Sequence, residues 1–188
     1  MAVESTMLPL GTTAPGFTLP DPAGAPHGLD DLAGDGPLVV AFMCNHCPYV
    51  RHIADAFGKV AVELVARGAT VVAINSNDAD AYPDDAPPRM VEFARRHGWT
   101  FPYLVDADQD VARQYGAVCT PDLFVFDDDR RLAYRGRFDA SRPGGDVPAT
   151  GEDLVAAVGA LLEGDVPSSE QLPSIGCGIK WRPDGASG

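Results

Sequence analysis

The sequence predicts an α/β protein with a central mixed β-sheet and helices on both faces of that sheet. Two short runs of apolar, often β-branched residues, at 38–43 and 70–74, indicate buried strands. Between them, apolar residues recur at steps of three and four, a spacing typical of an amphipathic helix. Two later strands are separated by an Asp-rich turn at 127–130, which predicts an antiparallel hairpin. The order β-α-β-α-β-α-β-β-α therefore predicts a sheet that is parallel at first and ends in a hairpin.

The first half of the chain supplies the predicted centre of this sheet. Residues 9–36 are rich in Pro, Gly and Asp, which indicates an N-terminal extension of turns around short extended pieces. The strand at 38–43 is apolar on both faces, as a central strand covered on both sides must be. The helix that follows begins at Pro48 and ends at Gly68. After the second strand comes a polar loop, 75–88, and a loop of this length in a compact domain is usually functional or mobile.

The second half of the chain continues the alternation and then loses its pattern. At 188 residues the chain is long enough for one domain with a core, so residues 1–164 are predicted to form that domain. Residues 165–188 are rich in proline and glycine, which predicts an irregular C-terminal tail packed on the domain or extending from it. The other predicted elements are helices at 88–98, 110–115 and 152–162 and strands at 101–105, 117–126 and 132–138.

Charge and hydropathy exclude several classes of partner. The formal net charge is −13, which argues against nucleic acid and against an anionic membrane surface, since both need clustered Lys and Arg. The N-terminus lacks the basic segment and apolar core of a signal peptide, and the longest apolar run covers only residues 37–44. Four cysteines are too few for a disulfide scaffold. The expected protein is therefore cytoplasmic, with its thiols reduced at rest.

Two cysteines three positions apart, Cys44 and Cys47, lie where the first buried strand ends and the long helix begins. A thiolate at a helix N-terminus is stabilised by unpaired backbone N–H groups and by the helix dipole. The spacing lets the second sulfur attack a mixed disulfide that has formed on the first. The same pair could be half of a zinc site, but a second pair at matching spacing is absent from the sequence. The pattern therefore favours a redox-active pair.

Several segments, taken together, resemble a known family. The Cys-Asn-His-Cys-Pro motif that begins at Cys44 and the Thr120–Pro121 pair downstream are similar to those of thioredoxin-fold proteins of the peroxiredoxin and redoxin (AhpC/TSA-like) branch. The resemblance implies a thioredoxin-like fold with a redoxin-type N-terminal extension. It also implies an antioxidant function that uses a redox-active disulfide and needs no cofactor. It covers nearly the whole chain, in the segments 14–21, 44–49, 73–77, 101–104, 119–122, 134–139 and 173–177.

The resemblance also implies roles for individual residues. By the thioredoxin pattern, Cys44 is the exposed nucleophile and Cys47 resolves the mixed disulfide. By the peroxiredoxin pattern, the peroxide-reactive thiol is Cys47, but that branch has a threonine at the position of Cys44. Pro121 resembles the cis-proline that faces the active thiols. The Thr120 backbone would pair with a substrate peptide or help to shape a small-molecule pocket.

Three further residues each have more than one interpretation. His46 lies between the two thiols, where an imidazole would stabilise a thiolate and make the disulfide more oxidising, or it faces solvent without a role. Cys119 is a buried strand cysteine or, if it points toward Cys47, a second resolving thiol. Cys177 is flanked by glycines in the tail. It reaches an active site, in its own chain or across a dimer, or it is inert in an ordered tail.

The preferred function is a thiol-disulfide oxidoreductase. Cys44 would attack a protein or small-molecule disulfide, Cys47 would resolve the intermediate, and an external dithiol would restore both thiols. One alternative is a thiol peroxidase, in which the reactive cysteine attacks a hydroperoxide, becomes a sulfenic acid and condenses with a neighbouring thiol. An alternative of another class is a carrier of copper or zinc that uses Cys44, His46, Cys47 and Cys177 as ligands. A homodimer is a further option.

Overall fold

The computed structural model of the protein describes residues 2–183 and agrees with most of the predicted elements. The helix predicted at 152–162 has those bounds. The strand predicted over 117–126 is interrupted at Pro121, whose nitrogen has no hydrogen to donate to a neighbouring strand. In chain order the elements are β1 (Ala2–Glu4), β2 (Thr18–Pro20), β3 (Pro26–Gly28), α1 (Leu29–Leu32), β4 (Leu38–Phe42), α2 (Pro48–Ala66), β5 (Thr70–Asn75), a 3-10 turn (Pro83–Asp85), α3 (Pro87–Arg96), β6 (Tyr103–Val105), α4 (Asp110–Gln114), β7 (Cys119–Thr120), β8 (Asp122–Phe126), β9 (Leu132–Gly136), α5 (Glu152–Leu162) and β10 (Ile175–Gly178).

The central sheet has five strands in the order β6-β5-β4-β8-β9. β4 pairs in parallel with β5, and β5 pairs in parallel with β6, whereas β4 pairs antiparallel with β8. β8 and β9 form an antiparallel hairpin through the Asp-rich turn. The mixed sheet and its terminal hairpin are therefore as predicted. Because the cysteine motif follows β4, it lies at the carboxyl end of the central strand.

Two apolar clusters cover the two faces of this sheet, and β4 contributes to both. Val39 and Ala41 belong to the cluster that contains the buried sides of α2, α3 and α5. Leu38, Val40 and Phe42 alternate with them and belong to the cluster that contains α1, α4 and β2. All five residues are fully buried. This two-sided burial explains the continuous apolar run, and it fixes the point at which the motif begins.

The C-terminal tail contains a strand, which corrects the prediction of an irregular tail. β10 pairs antiparallel with β1 on one side and with β7 on the other. Two of its four residues are glycines, which are rare in strands, so the sequence pattern did not indicate the element. Glycine is required at position 176, because a Cβ there would overlap the Thr120 carbonyl oxygen. The order of this segment therefore comes from backbone pairing with two other strands.

The longest helix, α2, packs along one face of the sheet and has 19 residues. Eight of these residues are buried, while polar residues such as Arg51 and Glu63 remain exposed on the other side. Neither this helix nor any other within residues 2–183 combines the length and the hydropathy that crossing a bilayer requires.

Candidate active site

The cysteine motif begins where β4 ends and α2 begins. The Met43 N–H donates to the Ile74 carbonyl at 2.8 Å, so the sheet pairing continues up to the first cysteine. Cys47 is the N-cap residue of α2, and Pro48 is at the first helical position, where a missing N–H does no harm. Both cysteines are fully buried. The sequence predicts an exposed Cys44, and this is wrong because segments from elsewhere in the chain cover it.

Thr120 contacts both sulfur atoms. Its Oγ1 lies 3.1 Å from Cys44 Sγ, and its carbonyl oxygen accepts a hydrogen bond of 3.1 Å from the Cys47 thiol. The latter bond exists only while Cys47 carries its proton. The peptide bond to Pro121 is cis, as the resemblance implied. The fold thus brings together two thiols and a Thr-Pro pair that are 73 or more residues apart in the sequence.

The surroundings of the two sulfurs favour opposite charge states. The pKa of Cys47 is lowered from 9.0 to about 5, first by the hydrogen bond from the Cys44 thiol. Burial acts against ionisation, but the Val50 N–H in the first turn of α2 and donors from Cys177 add to the stabilisation. Burial raises the pKa of Cys44 well above its usual range, and the negative charge of Asp85 adds to this effect. Ionisation therefore favours Cys47, which then gives up its hydrogen bond to the Thr120 carbonyl, while Cys44 remains a thiol that donates to it.

His46 is held by a carboxylate and by an aromatic ring. Its Nδ1 lies 2.6 Å from Asp85 Oδ2, and its ring stacks on that of Tyr82 with centroids 5.3 Å apart. A ring nitrogen of His46 lies within 4.8 Å of the Cys44 sulfur. These partners disfavour the interpretation of a solvent-facing side chain without a role.

Asp85 is the residue of this site that the sequence analysis missed. It lies in the polar loop after β5, within the 3-10 turn, and its side chain is fully buried. The Asn45 N–H and the side-chain amide of Asn77 each donate to it at 2.7 Å. Burial opposes its ionisation, but the bonds from His46 and from these two donors lower its pKa overall. The length and polarity of the loop indicated a function, but they could not indicate which of its acids turns inward.

The C-terminal tail holds this loop in place. The Lys180 N–H donates to Asn77 Oδ1 at 2.8 Å, and the Lys180 carbonyl accepts a bond of 2.9 Å from the Asp78 N–H. The same carbonyl accepts a bond of 2.8 Å from the side-chain amide of Gln109. Because Asn77 in turn donates to Asp85, the tail, the loop and the motif share one hydrogen-bond network.

Cys177 lies beside Cys47, on the strand that the tail forms. In the pairing of β10 with β7 it is opposite Thr120, whose carbonyl oxygen is 3.1 Å from Cys47 Sγ. Its thiol and its backbone N–H are both donors to the Cys47 sulfur. Burial, together with this neighbour, raises the pKa of Cys177 to about 11, so Cys177 is a thiol at neutral pH. The tail thus brings a third thiol to the site from within the same chain.

Cys119 is near the site in sequence but is not bonded to it. It is fully buried on β7, and its thiol donates to the Pro121 carbonyl at 3.6 Å. Burial raises its pKa far above the usual range, and the neighbouring Asp122 adds to the effect. Within residues 2–183, no hydrogen bond joins it to Cys47. These contacts fit a buried strand cysteine, and its role as a second resolving thiol stays a prediction.

The residues around Cys44 fit a metal ion poorly. In the described part of the chain, the group of ligand atoms that could share an ion comes from Cys44, His46 and Asp85. The His46 and Asp85 atoms are 2.6 Å apart. Two ligands of one tetrahedral zinc, each at about 2.0–2.2 Å, would lie roughly 3.3 Å apart or more. Both carboxylate oxygens also accept hydrogen bonds from other groups, so the carrier of copper or zinc is the least supported function.

The matches with known proteins cover from about two thirds to nearly all of the chain. The model of the AhpC/TSA family matches residues 10–135. The crystal structure of an uncharacterized conserved protein from Geobacillus kaustophilus is 47% identical, with a TM-score of 0.94. The match covers 97% of this chain and 97% of the Geobacillus chain, so the likeness includes nearly all of both proteins.

Two other similar proteins have more specific names. The thiol-disulfide oxidoreductase ResA of Geobacillus thermodenitrificans is 30% identical over 136 residues, which are 69% of this chain and 70% of ResA. The crystal structure of peroxidoxin BcpB from Mycobacterium tuberculosis is 29% identical, with a TM-score of 0.55. It covers 66% of this chain and 82% of BcpB. The chain is therefore similar both to a thiol-disulfide oxidoreductase and to a peroxidoxin.

Proposed function

Because the chain belongs to the AhpC/TSA family, we propose that it is a thiol-disulfide oxidoreductase in which Cys47 and Cys44 form the redox pair. The observation that carries this proposal is the position of two buried cysteines at the N-terminus of α2, where Cys47 is the N-cap residue and both sulfurs lie 3.1 Å from atoms of Thr120. One is held as a thiolate, the nucleophile of disulfide exchange, and the other as a thiol that donates to it. The oxidoreductase class predicted from the sequence is confirmed by the family and by the similarity to ResA.

In the proposed cycle, the Cys47 thiolate attacks one sulfur of a substrate disulfide. A disulfide between Cys47 and the substrate forms, the substrate S–S bond breaks, and the leaving thiolate takes a proton. Cys47 is then neutral, so one cause of the high pKa of Cys44 is removed. Cys44 loses its proton, attacks the Cys47 sulfur and expels the second substrate thiol. The substrate has become two thiols, and an external dithiol reduces the Cys44–Cys47 disulfide.

His46 and Asp85 are proposed to take up the proton of Cys44 in the second step. A ring nitrogen of His46 is within 4.8 Å of the Cys44 sulfur, and Asp85 bonds to the imidazole at 2.6 Å. The buried carboxylate fixes the orientation of the imidazole ring, so that one ring nitrogen is held by Asp85. This assignment gives the hydrogen-bonded loop a chemical function.

The proposed order of attack reverses the one predicted from the thioredoxin pattern. Cys47 caps α2, and the Val50 N–H is directed at its sulfur. Cys44 has the opposite surroundings, because burial and the charge of Asp85 both oppose its ionisation. Since the thiolate is the nucleophile, these surroundings support attack by Cys47.

The proposed partners are a disulfide substrate and an external dithiol reductant, and the proposed compartment is the cytoplasm. Four cysteines in 188 residues are too few for a disulfide scaffold, which supports a compartment in which thiols stay reduced. The net charge of −13 supports the absence of nucleic acid and of anionic membrane surfaces from the list of partners. The homodimer stays a prediction.

A thiol peroxidase is the second candidate, and the lowered pKa of Cys47 is the observation that favours it. Its thiolate would attack a hydroperoxide, break the O–O bond and become a sulfenic acid, while the alcohol or water leaves. Condensation with the Cys44 thiol would release water and form the same disulfide. Dimedone added with one equivalent of peroxide to the double variant Cys44→Ser/Cys177→Ser traps the sulfenic acid, because neither neighbouring thiol can condense with it. Rapid labelling of Cys47 would rank the peroxidase first, and an unlabelled Cys47 would exclude it.

Cysteine variants test the oxidoreductase. Cys47→Ser is expected to lose reduction of hydroxyethyl disulfide almost completely, because serine cannot supply a thiolate. The double variant Cys44→Ser/Cys177→Ser is expected to retain the substrate on Cys47, which mass spectrometry of the peptides detects. Cys119→Ser is expected to turn over normally. An active Cys47→Ser with an inactive Cys44→Ser would support the order predicted from the sequence, and activity in both would refute the pair.

A further inference from the structure

β7 is a two-residue strand with one edge directed at the reactive sulfurs. Its residue Thr120 contacts Cys44 through Oγ1 and Cys47 through the carbonyl oxygen. An extended peptide that brings a disulfide to Cys47 by adding a strand would pair with this edge. In this protein β10 already pairs there, with Cys177 opposite Thr120.

β10 is fixed along both edges and at both ends. β1 pairs with its outer edge. Before the strand, the Ser174 hydroxyl donates to the Gly136 carbonyl at 2.6 Å, and the Ser174 N–H donates to the Ser5 hydroxyl at 3.0 Å. After it, the Ile179 N–H donates to the Val118 carbonyl at 3.0 Å. The strand therefore occupies this edge fully in the reduced protein.

The contact between β10 and β7 is also too close for a side chain. A Cβ at Gly176 would overlap the carbonyl carbon and oxygen of Thr120. The next residue, Cys177, is opposite Thr120, whose carbonyl oxygen lies 3.1 Å from Cys47 Sγ, and its thiol and backbone N–H are among the groups that lower the pKa of Cys47. Glycine thus lets the strand approach closely enough to present a cysteine at the position a substrate disulfide would need.

We propose that β10 excludes protein disulfides from the site, so that the enzyme reduces small-molecule disulfides, and that Cys177 is a third redox thiol that exchanges with Cys47. This inference rests on the proposed function, because it needs Cys47 as the attacking thiolate. It adds a substrate class and a reacting residue to the Cys44–Cys47 pair. A small disulfide needs no strand edge to dock, whereas a protein segment that docks by strand addition does.

Cys177 enters the cycle at the disulfide between Cys47 and the substrate. Cys177 attacks the Cys47 sulfur, the Cys47–Cys177 bond forms and the bond to the substrate breaks. The proton of Cys177 passes to the leaving thiolate. Cys44 then attacks Cys47 and returns Cys177 to the thiol state, so the oxidised protein alternates between two disulfides. In either form one substrate disulfide has gained two electrons and two protein thiols have lost them, until an external dithiol reverses the change.

Disulfide mapping after one equivalent of hydroxyethyl disulfide tests the third thiol. The parent protein is expected to contain both Cys44–Cys47 and Cys47–Cys177. Cys44→Ser is expected to contain Cys47–Cys177, and Cys177→Ser is expected to contain Cys44–Cys47. If Cys44→Ser keeps the small thiol on Cys47 and forms no Cys47–Cys177 bond, the role of Cys177 is refuted while the proposed function stands. Retained activity in Cys47→Ser would refute the proposed function itself.

A pair of glycine variants on β10 tests the substrate class. Gly176→Ala adds a methyl group against Thr120, whereas Gly178→Ala is the matched control, because its Cβ would meet Val3 at an ordinary 3.5 Å. Overpacking of this kind shifts the equilibrium between docked and released strand by about 5- to 150-fold. The rate of insulin reduction relative to hydroxyethyl disulfide reduction is expected to rise by up to that factor in Gly176→Ala and to stay constant in Gly178→Ala.

Two further measurements make this result decisive. The parent protein is expected to reduce hydroxyethyl disulfide far faster than insulin, and equal rates would refute the exclusion of protein disulfides without any variant. Amide hydrogen exchange at 175–178 reports whether Gly176→Ala has released the strand. A released strand with an unchanged ratio of rates would also refute the substrate class.

Discussion

The ionisation of Cys47 is the property on which the proposed chemistry most depends, and a pH titration perturbs it directly. With a pKa of about 5 in place of 9.0, Cys47 is about 99% thiolate at pH 7, whereas an unperturbed thiol is about 1% thiolate. The physical cause is the group of donors around its sulfur, with the Cys44 thiol first among them. We expect the thiolate of Cys47 to appear with a midpoint near pH 5.

The pH midpoint of alkylation, and not the rate of alkylation at pH 7, distinguishes Cys47 from an ordinary cysteine. A fall of about four pKa units lowers the intrinsic nucleophilicity of a thiolate by roughly 40- to 100-fold, at a Brønsted coefficient of about 0.4–0.5. At pH 7 the gain in thiolate fraction is about 100-fold, so the two effects nearly cancel. The rate of alkylation at pH 7 is therefore expected to be close to that of an ordinary cysteine. The pH at which the rate is half-maximal is expected to be about four units lower.

The free energy of unfolding must also depend on pH through the ionisation of Cys47. Because the pKa of Cys47 is lower in the folded state, its contribution to stability is full above the unfolded value of about 9 and is lost as the pH falls through about 5. Relative to Cys47→Ser, the free energy of unfolding of the parent is expected to rise by about 1.4 kcal/mol per pH unit between these limits. Cys44 does not add to this slope, since its pKa lies above the window.

Two assays check these expectations. Alkylation by iodoacetamide, quenched at intervals and mapped to the Cys44 and Cys47 peptides, gives a midpoint for each thiol. Urea unfolding of the parent and of Cys47→Ser at several pH values gives the slope. The unfolded, reduced protein is the control and should show an ordinary thiol midpoint for both cysteines. A midpoint above pH 8 for Cys47, or an acidic midpoint for Cys44 instead, would refute the assignment of the thiolate.

The remaining predictions concern three buried positions. Asp85→Asn is expected to slow closure of the Cys44–Cys47 disulfide and to destabilise the fold by about 1–3 kcal/mol, since a charged hydrogen-bond acceptor is lost. Stopped-flow exchange measures the rate of closure and urea unfolding measures the stability, with Asp84→Asn as the matched control. Asp122 is buried, and burial raises its pKa to about 8, so the stability of the parent falls as the pH rises from 3.8 toward 8. The free energy of unfolding of Asp122→Asn, relative to that of the parent, should therefore rise by about 1.4 kcal/mol per pH unit in this range. A difference in free energy that does not change with pH would contradict this prediction. Gly58→Ala in the middle of α2 should destabilise the protein by about 1–3 kcal/mol despite the better helix propensity of alanine, because its Cβ would overlap the backbone that follows α3. Gly16→Ala, whose Cβ meets nothing within 4 Å, is the control. A gain in thermal stability for Gly58→Ala would show that the neighbouring backbone moves aside at little cost.

Much of the fold was predictable because its centre is local in sequence. The apolar run of β4 and the periodic pattern of α2 each arise from burial against a neighbouring layer, so they could be recognised one segment at a time. The predicted thioredoxin-like fold is confirmed by the family match and the solved relatives. The strand β10 was missed for the converse reason. Its glycines are needed for close approach to Thr120, and glycine-rich segments give no strand signal.

The sequence predicted which residues of the site react, but not which of the two cysteines ionises. The spacing of Cys44 and Cys47 indicated a redox pair, and the resemblance added Thr120 and Pro121. Asp85 is 39 residues from the histidine it contacts, and its inward orientation depends on how the loop folds. Whether Cys177 reaches Cys47 could not be decided from the sequence, because the contact depends on the register of a strand that the sequence did not indicate.

The sequence by itself determined the α/β architecture, the position of the cysteine pair at a strand-to-helix junction and the class of chemistry. These depend on periodicity and on short spacings, which the order of residues specifies. The tertiary structure decided which sulfur is the thiolate and which additional thiol faces it. Both depend on hydrogen-bond donors and carboxylates brought within a few ångströms from distant segments, and on the loss of solvent around the sulfurs.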